Sequence, residues 1–297
     1  MGKIRKISIL ASFFSLWLHT LIPENWELII SFFLIFSFGI IHGANDITIL
    51  NNSLSNKNKR KPLQILINYV MMVGFGILFF FLTPSLALLL FIFVSSYHFG
   101  EQHFNYLKNQ ESRIFILFSI GYGMTVLSLL FINHVEEVTI IIKSITRLTI
   151  QSNLYEYILG GSILLLITSS IFMVKIDVAI RKVFVEEVFN LLILALIFKV
   201  SPLLFGFSVY FIFWHSIPSM YDQIKYLYDD TTFKNTLHYL KNGALYWIIS
   251  LVGIGVLSYY LIDTYLFEAL LFSCIAAITF PHVWVMIHLF KAKKRTQ

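Results

Sequence analysis

Residues 63–82 read LQILINYVMMVGFGILFFFL and carry no charged side chain, and Pro84 begins a second apolar block that runs to Gly100. A helix needs about twenty such residues to cross roughly 30 Å of hydrocarbon. Similar blocks recur along the 297-residue chain, which is 58% hydrophobic and only 13% charged. Soluble domains carry about 25% charged residues. The sequence therefore excludes an ordinary soluble domain and predicts an all-α polytopic membrane protein.

Short polar joints and prolines divide the chain into ten predicted transmembrane helices in one bundle. Pro23, Pro84 and Pro202 stand near the starts of helices, where the missing N–H costs nothing. No repeat and no linker divides the sequence, so residues 1–297 are predicted to form a single transmembrane domain. The predicted helices cover residues 7–22, 26–43, 63–82, 84–100, 113–133, 155–174, 183–199, 202–218, 244–262 and 266–290.

Lysine and arginine residues are distributed unevenly between the two predicted membrane faces. With the N-terminus inside, the outward-facing segments contain only Lys143, Arg147 and Lys199 of the 22 basic residues. The positive-inside rule requires this bias, so both termini are predicted to be cytoplasmic. The net charge of +6 has the same explanation, and we expect no nucleic-acid binding.

Four histidines fall at one predicted depth in the membrane. A titratable side chain within hydrocarbon is costly and usually functional or paired. His42, His98 and His215 lie near the predicted cytoplasmic ends of their helices, and His282 lies in the inner half of the last helix. Packing of these helices would bring four imidazoles together, so we predict a shared metal site. His103 follows His98 by five residues and is the alternative fourth ligand.

The donor types restrict which metal such a site would bind. Imidazole ligands suit Fe(II), Zn and Cu, and the only cysteine is Cys274. The His-Glu-x-x-His motif of zinc hydrolases and the closely spaced histidine groups of membrane di-iron oxygenases do not occur in the chain. A mononuclear non-haem Fe(II) with open positions for O₂ is therefore the best chemical match.

Two carboxylates stand close to these histidines in the sequence. Asp46 follows His42 by four residues, and Glu101 follows His98 by three. Carboxylates that accept a hydrogen bond from a metal-ligating imidazole fix its orientation. We expect Asp46 to do so for His42 or for another histidine, and we expect Glu101 to support the same site.

The ordered motifs resemble those of the Brp/Blh family of bacterial β-carotene 15,15′-dioxygenases over roughly residues 30–290. The resemblance rests on His42-Gly43-x-x-Asp46, His98-Phe99-Gly100, His215-Ser216 and Pro281-His282. It implies a multi-pass enzyme of the bacterial inner membrane that cleaves the central 15,15′ double bond of β-carotene with Fe(II) and O₂, giving two retinal molecules. It also implies a functional link to a retinal-binding rhodopsin.

Three positions depart from the pattern of that family. Ser219 stands where family members carry a second histidine, four residues after the one matched by His215. His103 and Ile287 stand where aspartates are typical. The fourth ligand is therefore predicted to be His282 or His103, and a paralogue that cleaves another carotenoid is an open alternative.

A histidine-lined membrane transporter, or an ion or proton channel, is the alternative from a different functional class. It predicts acidic residues inside helices and repeats between two halves of the chain. Only Glu186, Glu187 and Glu268 meet the first condition, and no inverted repeat is visible. A non-catalytic retinal- or carotenoid-binding protein would be supported by a buried lysine, whereas the lysines stand at helix ends.

Overall fold

The computed structural model describes residues 2–55, 62–107, 110–177, 179–261 and 266–295, which form helices joined by short turns with no strand among them. The all-α prediction is therefore confirmed for this part of the chain. In chain order the helices are α1 (Gly2–His19), α2 (Glu24–Leu34), the π-helix π1 (Ile35–Gly39), α3 (Asp46–Ser55), α4 (Pro62–Leu82), α5 (Pro84–His103), α6 (Arg113–Asn133), α7 (Val135–Thr146), α8 (Asn153–Ile176), α9 (Ala179–Val200), α10 (Leu203–Val209), the π-helix π2 (Tyr210–Ser216), α11 (Ile217–Tyr228), α12 (Phe233–Leu261) and α13 (Leu266–Arg295).

Local sequence explains where several helices begin. Pro62 and Pro84 occupy the first positions of α4 and α5, where proline loses no helical hydrogen bond. Ser112 precedes α6, and its hydroxyl accepts from the N–H of Phe115 at 3.1 Å, which satisfies one of the N–H groups that the first turn leaves unpaired.

Seven helical stretches of the described chain are long and apolar enough to cross a membrane, and they correspond to seven of the ten predicted helices. The predicted spans 7–22, 26–43 and 183–199 are not among them. At these positions, α1 is basic at its N-terminal end, and α2 is only 11 residues long before π1 begins. Charged side chains interrupt α9. The count of ten and the orientation of the termini stay predictions. The basic segment 57–61 and Lys108 lie outside the described residues.

The chain divides into two compact units, each assembled from separate stretches of sequence. The first unit comprises Met1–Ile35, Ile92–Ile140 and Thr149–Pro218, and the second comprises Phe36–Phe91, Ile141–Leu148 and Ser219–Gln297. The prediction of a single domain over 1–297 stays a prediction.

The core of the first unit lies around α6, which packs against α8 and α9. Most of α6 is buried, and Phe115, Tyr122 and Val126 are among its most enclosed side chains. In the second unit α13 packs on α3 and α4, and its buried residues Val285 and Met286 join the apolar cluster there. Because lipid is as apolar as these side chains, close packing and hydrogen bonds stabilise the contacts between helices.

Candidate metal centre

Both π-helices stand at predicted metal ligands. π1 ends at Gly39, three residues before His42, and π2 contains His215. A π-helical turn is wider than an α-helical turn. Such turns are rare in proteins as a whole, but many of those that occur lie at functional sites. Sequence analysis missed both elements. One signal was available at π2, because Pro218 lacks the N–H that would continue an ordinary helix.

In the second unit, His42 and His282 form a buried pair. Their ring centroids lie 4.8 Å apart and the ring planes are nearly perpendicular, at 86°. The Nδ1–H of His42 donates to the carbonyl of Gly39 at 2.5 Å. The Nδ1 of His282 lies 2.9 and 3.0 Å from the two carboxylate oxygens of Asp46. A carbonyl and a carboxylate only accept hydrogen bonds, so the Nδ1 of each ring donates, and Nε2 is the nitrogen with which each ring could ligate a metal.

Asp46 connects His282 to a tyrosine. The hydroxyl of Tyr69 donates to Asp46 Oδ2 at 2.8 Å, and Asp46 is only 1% exposed. The sequence left open whether Asp46 accepts from His42 or from another histidine. In the structure it accepts from His282, on α13. A buried carboxylate in this position fixes the ring orientation of the histidine and raises its basicity as a ligand.

The backbone at His42 is held by residues that sequence analysis did not identify. Gln223 Nε2 donates to the carbonyl of His42 at 2.9 Å, and the hydroxyl of Tyr239 donates to Gln223 Oε1 at 2.7 Å. Gln223 Nε2 also donates to the hydroxyl of Ser219 at 3.1 Å. These residues come from α11 and α12, far from His42 in sequence, so no local pattern pointed to them.

In the first unit, His98 and His215 form a second buried pair. Their ring centroids lie 4.8 Å apart at an interplanar angle of 79°, and the two residues are 1% and 2% exposed. The rings of Phe99 and Phe211 pack against His215, with centroid distances of 4.8 and 5.5 Å. The pair is therefore enclosed by aromatic side chains that exclude water.

Two glycines allow α5 and α6 to approach at His98. A Cβ at Gly100 would overlap the backbone of Ser119, and a Cβ at Gly123 would overlap the carbonyl of Ser96. Small residues at crossing points let the backbones of membrane helices touch. His98 lies between the two contact points on α5, so this crossing fixes its position within the first unit.

His103, the alternative fourth ligand, belongs to an ion-pair network. Its Nε2 lies 2.7 Å from Glu187 Oε2, and the other carboxylate oxygen of Glu187 lies 2.6 Å from Arg5 Nη1. Asn190 donates to the same carboxylate at 3.2 Å, and the ring of His103 stacks on Tyr122. Glu187, which the transporter interpretation had singled out, is thus a partner of His103 and Arg5.

The remaining predicted carboxylate, Glu101, is buried at 4% exposure and accepts from the hydroxyl of Tyr97 at 2.7 Å. Its predicted role as a support of the histidine site stays a prediction. The side chain of Glu268, the other acidic candidate of the transporter interpretation, lies outside the described side chains.

The donor chemistry of the two pairs fits a first-row transition metal. All four residues are buried imidazoles, and in the second unit both rings present Nε2 as the acceptor nitrogen. Neutral imidazoles suit borderline ions such as Fe(II).

A comparison with protein-family models matched the chain over residues 33–290 to the family described as beta-carotene 15,15'-dioxygenase. The match includes all four paired histidines and Asp46. No curated protein and no solved structure matched the chain in the corresponding comparisons. Because the matched segment covers most of the sequence, the chain belongs to the beta-carotene 15,15'-dioxygenase family.

Proposed function

We propose that the protein cleaves the central 15,15′ double bond of β-carotene with O₂ to give two molecules of retinal. The observation that carries this proposal is the family match, which spans both buried histidine pairs. The reaction balances without a further reductant, because one C=C bond and one O₂ molecule become two C=O groups. Each retinal receives one oxygen atom.

We propose that His42, His98, His215 and His282 ligate one Fe(II). Their burial and the Nδ1–H tautomers of His42 and His282 support this assignment. His282 is preferred to His103 as the fourth ligand, because the ring of His282 packs against His42, whereas the ring of His103 stacks on Tyr122. Bound Fe(II) would supply a redox-active centre that leaves positions for O₂.

The protein's own residues would orient the ligands and keep water away. Asp46 and the carbonyl of Gly39 hold the rings of His282 and His42, and the aromatic rings of Phe99 and Phe211 enclose His215. Alkene cleavage needs no general acid or base, so the carboxylate of Asp46 acts through His282 rather than on the substrate. An apolar substrate would enter from the lipid.

The proposal includes a membrane topology and a location. We propose ten transmembrane helices with both termini in the cytoplasm, in the bacterial inner membrane, as the distribution of lysine and arginine favours. Retinal released into the bilayer would be available to a retinal-binding rhodopsin, which we propose as the functional partner.

Expression in bacteria that accumulate β-carotene tests this function. We expect the cells to lose their orange colour and to contain retinal, and the His215→Ala variant to do neither. An apocarotenoid of another length in place of retinal would indicate a paralogue with a different cleavage position. Unchanged β-carotene with a well-folded protein present would favour the transporter or channel alternative.

A further inference from the structure

The carbonyl of Phe213, in π2, has neither the α-helical nor the π-helical hydrogen bond. In an α-helix it would accept from the N–H of residue 217, and in a π-helix from residue 218. The N–H of Ile217 donates instead to the carbonyl of Ile212, and residue 218 is a proline, which has no N–H. The wide turn that carries His215 therefore leaves one backbone acceptor outside the helical hydrogen bonding.

Ser8 of α1 donates to this carbonyl. Its hydroxyl lies 2.6 Å from the carbonyl oxygen of Phe213 and 3.2 Å from that of Ile4 on its own helix. Ser8 is 3% exposed, so its hydroxyl is shielded from solvent. Within hydrocarbon a backbone acceptor must be satisfied by protein, and here the partner comes from a helix that is distant in sequence.

A second bond joins the same two segments one helical turn further along α1. The indole N–H of Trp214 donates to the hydroxyl of Ser12 at 2.9 Å. Both contacts lie within the first unit, and both involve the two residues that directly precede His215. Helix α1 therefore holds π2 through one main-chain and one side-chain hydrogen bond.

Helix α1 lies before residues 33–290, the part of the chain matched by the family model. We propose that Ser8 is a positioning residue for His215, because its hydroxyl stabilises the π-helical turn that aims the imidazole. Loss of this bond would favour relaxation of the turn toward α-helical geometry, in which a shift of one residue rotates a side chain by about 100°. The inference rests on the proposed function in so far as it treats His215 as an iron ligand.

Three variants of α1 isolate the effect of the hydroxyl. Ser8→Ala removes the donor, and Ser8→Thr retains it. Ser15→Ala is the matched control, because Ser15 is also buried on α1 but its hydroxyl bonds only to the carbonyl of Ala11 on its own helix, at 2.8 Å. The purified proteins are compared by hydrogen exchange of residues 210–216, by iron content after loading with Fe(II), and by kcat and KM.

We expect Ser8→Ala to increase exchange in 210–216, to lower iron content and to reduce kcat about tenfold, as the loss of a support behind a metal ligand typically does. KM should stay within about twofold, since substrate contacts are unchanged. Ser8→Thr and Ser15→Ala should resemble the wild type. Equal behaviour of Ser8→Ala and Ser15→Ala in an active enzyme would overturn the inference, as would a Ser8→Thr protein as impaired as Ser8→Ala.

The proposed function and the role of Ser8 can fail separately. If the wild type bound no iron and formed no retinal, but Ser8→Ala still increased exchange in 210–216, the proposed function would be refuted and the structural role of Ser8 would stand.

Pro218→Ala provides a further test that needs no activity. It supplies the missing N–H of residue 218, so the carbonyl of Phe213 gains the donor that a π-helical turn requires. The loss of thermal stability caused by Ser8→Ala should therefore be smaller in the Pro218→Ala background, and an equal loss in both backgrounds would contradict the argument.

Discussion

At the scale of single residues, Asp46 has the most direct connection to a proposed ligand. It accepts from His282 and from Tyr69 while only 1% exposed. We predict that Asp46→Asn lowers iron affinity about 10- to 100-fold, because the amide cannot supply the negative charge that raises the basicity of the imidazole. Metal titration of the purified variant checks this.

Tyr69→Phe is the matched comparison for Asp46→Asn. It removes one hydrogen bond to the carboxylate but leaves its charge in place, so its effect on iron affinity should be clearly smaller. If Asp46→Asn bound iron as tightly as the wild type, the carboxylate of Asp46 would not be supporting His282 as an iron ligand.

The identity of the fourth ligand is also a question about single residues. We predict that His282→Ala loses iron and retinal formation, whereas His103→Gln keeps its iron. Glutamine retains a side-chain donor for Glu187, with which His103 pairs at 2.7 Å, and should affect mainly thermal stability. The opposite result, with iron lost in His103→Gln and kept in His282→Ala, would assign the fourth ligand to His103.

At the scale of helices, the crossing of α5 and α6 positions His98. We predict that Gly123→Ala destabilises the protein by at least about 1–3 kcal/mol, because the new methyl group overlaps the carbonyl of Ser96. The added volume meets backbone, which cannot rotate away as a side chain could, so iron content should fall as well. Thermal unfolding in detergent and metal analysis measure both effects.

Gly160→Ala in α8 is the control for this substitution, because nothing lies within 4 Å of the position its Cβ would occupy. In a helix it should be neutral or stabilising by up to about 1 kcal/mol. If Gly123→Ala were tolerated as well as Gly160→Ala, close approach of the two backbones would not be what holds His98.

The sequence predicted the positions of several long helices but missed the two π-helices. Apolar blocks long enough to span a bilayer marked α4, α5, α6 and α8 closely, because the length of such blocks is a local property. The π-helical turns were missed. Pro218 was the local signal at π2, whereas the hydrogen bond from Ser8 to Phe213 joins residues 205 positions apart, so no local pattern could predict it.

The histidine site also has parts that the sequence predicted and parts that it could not predict. Four histidines and the nearby Asp46 were selected from the sequence because ionisable groups are costly in hydrocarbon. The pairing of Asp46 with His282, 236 positions away, is a tertiary contact. The support of His42 by Gln223 is another, since 181 positions separate the two residues. No local pattern encodes either contact.

At the scale of the whole molecule, the proposed topology can be tested at two described loops. In a cysteine-free background made by Cys274→Ser, we predict that a membrane-impermeant maleimide labels a Gln151→Cys variant in intact cells but not an Asp230→Cys variant. Both side chains are exposed, and the positive-inside rule places their loops on opposite faces. Labelling of Asp230→Cys alone would reverse the orientation, and labelling of both would contradict the proposed number of membrane crossings between them.

The most direct test of the central claim is retinal formation from β-carotene as Fe(II) is added stepwise to metal-depleted protein in the presence of O₂. We predict no retinal without metal, activity that rises until one iron is bound per chain, and two retinal molecules for each β-carotene consumed. Zn(II) bound to the same site should give no retinal, because it is redox-inactive. Retinal formation by the metal-depleted or Zn(II)-loaded protein, or its absence at full iron occupancy, would contradict the account.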